Sequence, residues 1–354
     1  MTRRSGRRGL LERAGALAAI MTLIGLTVAS CGGGGSGSQA DQPIFPGGCP
    51  AVNQSAGGGS GAVSRVPIKV IKQGSAAIAL APVCVAGQGP YAFVVDSGAG
   101  SSAFGSQLVK SLHLPSNGPT QTVTGANCTT NETPVSGPSW SLGNVALSPQ
   151  TVSNIDIPGF GLRDAPSGLL GSDVLGRFGA IQLDYEHQSL ALPGPEGPAP
   201  GPDTNVHGPT SVPIPPGIGL ASPSMTVPLI VAQAEGETLP LVPVRIRDQG
   251  PFNFILDTGS SVSSVDPQLV SSVGLPQTGK RQRVSGIGCR EEAQEVQSGS
   301  WSAGTVPLHS QPLQTISVPG ANGEINGLLG SDVLHGFGAA VIAYSAGTLV
   351  VAAH

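Results

Sequence analysis

The sequence predicts an all-β protein built from two homologous lobes related by a pseudo-two-fold. Three observations predict it. Gly and Pro make up 85 of 354 residues, while charged residues reach only 11% and aromatic residues 4%; that mix suits short strands and many turns better than helices. A block recurs: Phe93-Val94-Val95-Asp96-Ser97-Gly98-Ala99-Gly100 returns as Phe254-Ile255-Leu256-Asp257-Thr258-Gly259-Ser260-Ser261, 161 residues later. Each copy runs apolar residues straight into an acid, a small hydroxyl residue and a glycine, which reads as a buried strand ending in a tight polar turn.

Residues 1–30 read as an export signal, outside the fold. Arg3, Arg4, Arg7, Arg8 and Arg13 precede an apolar run from Ala14 to Ala29, short for a membrane span. Val28-Ala29-Ser30-Cys31 resembles a bacterial lipobox, which implies a lipidated Cys31, and the paired arginines resemble a twin-arginine signal. A plain signal peptide followed by an ordinary thiol is the alternative. Residues 31–65, rich in Gly, Ser and Pro, read as a tether. The chain is therefore expected outside the cytoplasm, held to the cell membrane or envelope by the lipid alone. Losing residues 1–30 moves the formal charge from −4 to −8. No basic patch points to nucleic acid. The six histidines are scattered without metal-ligand spacing, so neither a metal nor a cofactor is expected. Cys49, Cys84, Cys128 and Cys289 remain; an even number in an oxidising compartment suggests disulfides, with three connectivities open.

Lobe one is placed at 66–192 and lobe two at 224–354, with a Pro-rich strap at 193–223 that reads as a semi-extended linker without a core. Each lobe starts with a hairpin: Val83 to Phe93 in one, Val244 to Phe254 in the other, with Gln-Gly-Pro as the expected turn. Cys128 matches Cys289 and Trp140 matches Trp301 at the same offset, the tryptophans reading as core anchors. Gly168-Leu169-Leu170-Gly171-Ser172-Asp173 returns as Gly327-Leu328-Leu329-Gly330-Ser331-Asp332, and a closing strand follows each, Ile181 to Leu192 and Val341 to Ala352. Asp173 and Asp332 read as helix N-caps or turn residues, and Asp184 as a local turn acid.

These residues resemble the aspartic proteases, most closely the retropepsin-like branch. The pattern is hydrophobic-hydrophobic-Asp-[Thr/Ser]-Gly-[Ala/Ser], then hydrophobic-hydrophobic-Gly about 70 residues on; Asp96 to Gly168 is 72 residues and Asp257 to Gly327 is 70. The resemblance covers about residues 76–192 and 224–352. It implies a monomer with an internal pseudo-dimer, each lobe a barrel-like acid-protease unit, acting on a peptide or protein substrate through Asp96 and Asp257. Two carboxyls in one site share a proton and titrate as a pair; one activates water while the other donates to the scissile carbonyl. By the same resemblance, Ser97 and Thr258 brace the two loops across the two-fold. Gly98 and Gly259 hold the carboxylates through their N–H groups. Gly125, Ala126, Gly286 and Ile287 form flap tips over the site. The Ser260 hydroxyl, with Ala99 at the matching place, is expected to donate to Asp257 and leave the shared proton on Asp96.

The flap resemblance also implies that Cys128 and Cys289 approach each other near the two-fold and pair, which leaves Cys49 for Cys84; four free thiols are the alternative. Two other functions compete with an endopeptidase: the same fold as a catalytically silent binding module on the cell surface, and an envelope structural lipoprotein with no peptide site. Two buried acids favour the enzyme, because a binding module gains nothing from their desolvation.

Overall fold

The fold, from a computed structural model, is described for residues 25–26, 44–52, 62–125, 128–157, 165–221, 223–287, 289–318 and 324–353. Strand alternation organises each lobe. In Ala76–Val85, Ala77, Ala79, Ala81, Val83 and Val85 enter the main core, whereas Ile78 and Leu80 face a second apolar cluster. The next strand, Gln88–Val95, divides likewise, with Phe93 and Val95 in the main core and Val94 in the second cluster. Its lobe-two twin, Gln249–Leu256, sends Phe254 and Leu256 to the main core and Ile255 to a cluster of its own.

The short strands Gly168–Leu170 and Gly327–Leu329 run parallel beside these acid-bearing strands, with Gly168 opposite Phe93 and Gly327 opposite Phe254. Glycine is needed at both places. A Cβ on Gly168 would lie 2.1 Å from a Phe93 ring carbon, and one on Gly327 would lie 2.3 Å from the Ser264 carbonyl oxygen. Trp140 and Trp301 are buried, and their indole N–H groups donate to the carbonyls of Ser148 and His309. About half of the chain is strand, in two similar sheet-rich lobes, and neither sheet closes into a barrel among the described residues.

A third sheet joins the lobes. It runs Ser224–Pro228, Thr348–Ala352, Ala339–Ala343, Ile181–Asp184, Ser189–Pro193, Val63–Pro67, and its central antiparallel pair sets Ile181 opposite Ile342 and Leu183 opposite Ala340. What reads in the sequence as one closing strand per lobe is therefore a hairpin. In lobe one it turns at 185–188, where Asp184 Oδ1 accepts the N–H groups of Glu186 and His187. The first hairpins also turn earlier than expected. Positive φ falls at Ala86 and Gly87 and at Arg247 and Asp248, the geometry of a tight two-residue hairpin turn, so Gln-Gly-Pro begins the second strand instead.

The Pro-rich strap is packed. Asn205–His207 pairs with Ile230–Ala234, and Ile218 is buried in a cluster with Ala180, Ala191 and Val341 of the joining sheet. Isolated apolar residues among the prolines are enough to lay the strap on that sheet. Part of the segment read as a tether is also fixed: Val63–Pro67 is an edge strand, and Cys49 forms a disulfide with Cys84, Cα atoms 5.9 Å apart. Gly25–Leu26 pairs with Val284 and Ser285 of lobe two. Cys31 lies outside the described residues. Among those described, no helix is long and apolar enough to cross a membrane.

Candidate active site

Each acid ends a core strand whose ladder continues into its own N–H. Asp96 N donates to Leu170 O at 3.0 Å and Asp257 N to Leu329 O at 2.9 Å. Beyond the acid the chain turns back, and one carboxylate oxygen gathers the turn's amides. Asp96 Oδ1 accepts from Gly98 N and Ala99 N, both at 3.0 Å; Asp257 Oδ1 accepts from Gly259 N at 3.0 Å and Ser260 N at 2.8 Å. The two turns meet face to face. A Cβ on Gly98 would lie 2.3 Å from Asp257 Cγ, and one on Gly259 would lie 2.3 Å from Asp96 Cγ. Only glycine lets each loop approach the opposite acid this closely.

Ser97 and Thr258 lock the meeting. Ser97 N donates to Thr258 Oγ1 at 2.9 Å and Thr258 N to Ser97 Oγ at 3.1 Å. The hydroxyls then donate onward, Ser97 Oγ to Leu256 O and Thr258 Oγ1 to Val95 O, each at 2.7 Å. All four groups are fully buried and satisfied across the lobe boundary.

Both acids are fully buried and within hydrogen-bonding reach of each other. Burial first, and then the Asp257 carboxylate, hold the Asp96 carboxyl well above the usual carboxylate range, against the pull of the Ala99 and Gly98 amides. The expected reason for an asymmetric dyad does not survive. The Ser260 hydroxyl donates to Val262 O at 2.7 Å, turned back along its own loop, and Ser260 reaches Asp257 through its backbone N–H just as Ala99 reaches Asp96.

A second layer supports the loops, and the sequence reading missed it. Ser102 Oγ accepts from Gly171 N and donates to Asp173 Oδ1; Ser263 Oγ accepts from Gly330 N and donates to Asp332 Oδ1. Gln150 and Gln311 donate to the second oxygens of Asp173 and Asp332. Asp173 and Asp332 are thus neither helix caps, a place held by Gly171 and Gly330, nor part of the dyad. They are buried clamps, their carboxyls raised by burial and pulled back by these hydrogen bonds. The signal was available, since Ser102 and Ser263, and Gln150 and Gln311, repeat at the 161-residue offset of the acids. Ser172 and Ser331 add bonds from their hydroxyls to Ser97 O and Ser260 O. Glu237 gave no such signal, because its repeat position is Ala76. It lies against Gly100, and burial, then Asp173, Glu132 and Glu235, push its carboxyl up to about 8.

The flap hairpins are Gln121–Gly125 with Cys128–Ser136 and Gln277–Gly286 with Cys289–Gln297, closed by the pairs Gly125–Cys128 and Gly286–Cys289. Ile287 at the second tip is fully buried, in the lobe-one cluster that holds Val94, Ala103 and Leu169. Ala126 and the side chains of Cys128 and Cys289 lie outside what is described, and with them the flap-to-flap disulfide. Among the described residues, no group of three His, Cys, Asp or Glu side chains is placed to hold a metal ion.

Two apposed acid loops, braced by reciprocal hydroxyl bonds and each backed by a Gly-Leu-Leu-Gly strand, define an aspartyl-protease-like protein with both halves in one chain. The aspartyl protease family model matches twice, over residues 81–174 and 242–333, together more than half of the sequence. The chain belongs to that family. No curated protein matches it.

Proposed function

We propose that the chain is an aspartic endopeptidase in which Asp96 and Asp257 activate one water against a peptide bond. The observation that carries this reading is the mutual clasp of the acids, each opposite the other loop's glycine, with Asp96 raised above the carboxylate range. Two adjacent buried carboxyls hold one proton between them. The ionised carboxyl takes a proton from water, the protonated one donates to the scissile carbonyl, and the tetrahedral diol collapses with proton transfer to the leaving amine. Ser97 and Thr258 keep the two carboxyls in register, and the Gly98 and Gly259 amides orient them. The resemblance places Gly125, Ala126, Gly286 and Ile287 over the substrate.

The test is hydrolysis of a mixed peptide pool with and without a statine-type transition-state mimic, which binds an assembled dyad. The wild-type chain should cut and be inhibited, and Asp257→Asn should cut at least ~100-fold more slowly with an unchanged unfolding midpoint. Cutting by Asp257→Asn at the wild-type rate would refute the assignment. A folded wild-type chain that cuts nothing would favour the silent binding module.

We further propose that Cys31 is lipidated after removal of residues 1–30 and holds the enzyme to the outer face of the cell membrane. Small residues before Cys31 and the Gly/Ser stretch after it support this. Cys31→Ser should shift the protein from the membrane fraction to the soluble fraction; retention in membranes would argue against the anchor.

A further inference from the structure

We propose that the lobe-one apolar cluster beside the dyad is the site for one large apolar side chain of the substrate, and that Phe45 of the N-terminal strap is its resident occupant. The proposal rests on the peptidase reading and deepens it, because it names a side chain that such an enzyme accepts.

Placement comes from strand alternation. Val94 lies two residues before Asp96 and so shares its face of the strand, while its neighbour Val95 belongs to the main core. Leu169 is in the same cluster, one residue before the Leu170 carbonyl that accepts Asp96 N–H. The cluster therefore abuts the acid on two adjacent strands. Ile287 closes it from the other lobe: an apolar residue at a hairpin tip, fully buried away from its own lobe. The enclosing side chains are aliphatic, so the complementary ligand is a benzyl or branched aliphatic group.

Phe45 is already there. It packs against this cluster, half-buried, while its neighbour Ile44 is 37% exposed. A segment that buries one apolar side chain and leaves the next in water is laid on the lobe, not built into its core. The strap is tied down four residues later by Cys49–Cys84, with Gly47 at φ 95° and Gly48 giving the bend. The arrangement is one-sided. The lobe-two residue that matches Cys84 is Arg245, and the lobe-two cluster is completed from its own lobe by Val318, Ile325 and Ile230. The fold thus makes its apolar clusters without a strap, and lobe one carries an added occupant. A tethered side chain competes at high effective concentration, which lowers the apparent affinity for any substrate group that needs the same space.

The test uses the processed, oxidised chain and two statine-type peptides that differ only in one side chain next to the statine, benzyl in one and methyl in the other, with binding read by calorimetry. Phe45→Ala should bind the benzyl peptide ~10-fold more tightly or better, as expected when a site once free in a tenth of molecules becomes open. The methyl peptide should change little. Cys49→Ser, which leaves Phe45 in place but frees the strap, should move the benzyl peptide the same way. An equal gain for both peptides, no gain, weaker binding by Phe45→Ala, or no binding by any chain would overturn the proposal. Binding needs no turnover, so the two readings fail separately. A chain that shows the benzyl-selective gain yet hydrolyses nothing loses the peptidase reading alone. A chain that hydrolyses peptides with no effect of Phe45 loses this one alone.

Discussion

Ser97 and Thr258 each carry more of the structure than their size suggests. One Thr258 oxygen accepts the Ser97 N–H and donates to Val95 O, and neither group has water to fall back on. Thr258→Val keeps the shape and deletes the oxygen. It leaves a buried donor and a buried acceptor unpaired, each costing about 1–3 kcal/mol, so a loss of about 2–6 kcal/mol is expected in urea unfolding. Thr258→Ser retains the hydroxyl and should lose far less. Equal losses for the two variants would show that the methyl group, not the bond, holds the loops. Ser260 teaches the opposite lesson. Its position beside Asp257 suggested a side-chain donor, but a hydroxyl next to a turn has local carbonyls within reach, and Val262 O takes it. Hydroxyl type was legible in the sequence; hydroxyl direction was not.

At the scale of elements, the repeat made most of the scaffold readable. Two copies of an acid-ended strand, each followed about 70 residues later by Gly-Leu-Leu-Gly, announced the parallel pairs that set the acids in place. The glycines of those pairs are explained by the Phe93 ring and the Ser264 carbonyl, neighbours that come from other strands and that no local pattern displays. What escaped was of two kinds. The Gln-Gly-Pro segments were read as turns because Gly and Pro mark turns, yet the bend falls on Ala86-Gly87 and Arg247-Asp248, where positive φ matches the strand twist. The strap at 193–223 was read as coreless because prolines outnumber its apolar residues, yet Ile218 alone finds a place among small alanines of the joining sheet. Composition reports an average, and a single well-placed apolar side chain is enough to dock a segment. The lobe-two flap shows a third limit. Ile287 was legible as a flap residue, but its burial in the opposite lobe depends on where two lobes meet.

Over the whole molecule, the buried acids determine how stability changes with pH. Asp96, Asp173, Asp332 and Glu237 are all raised by burial, with Glu237 brought up to about 8 from 4.5. A carboxyl whose folded pKa is raised binds its proton more tightly in the folded chain. Its stabilising contribution is full below the unfolded pKa and is lost as pH rises through the folded one. For Glu237 that loss runs from about pH 4.5 to about pH 8, where the emerging charge faces Asp173, Glu132 and Glu235 with Oε2 buried and unbonded. His335, lowered by burial, acts in the other direction below its usual 6.5, but it is only a third buried and stands alone against four acids. The urea midpoint should therefore be higher at pH 5 than at pH 8. Glu237→Gln, which cannot ionise, should flatten the change across that window while leaving the acid-side midpoint near wild type. A midpoint that rises from pH 5 to pH 8 would mean that the dyad and its clamps are held charged in the folded protein. The same scan read as activity carries a second sign: a dyad that needs one proton loses rate as pH climbs past the raised Asp96 value, so cleavage and stability should decline together on the alkaline side.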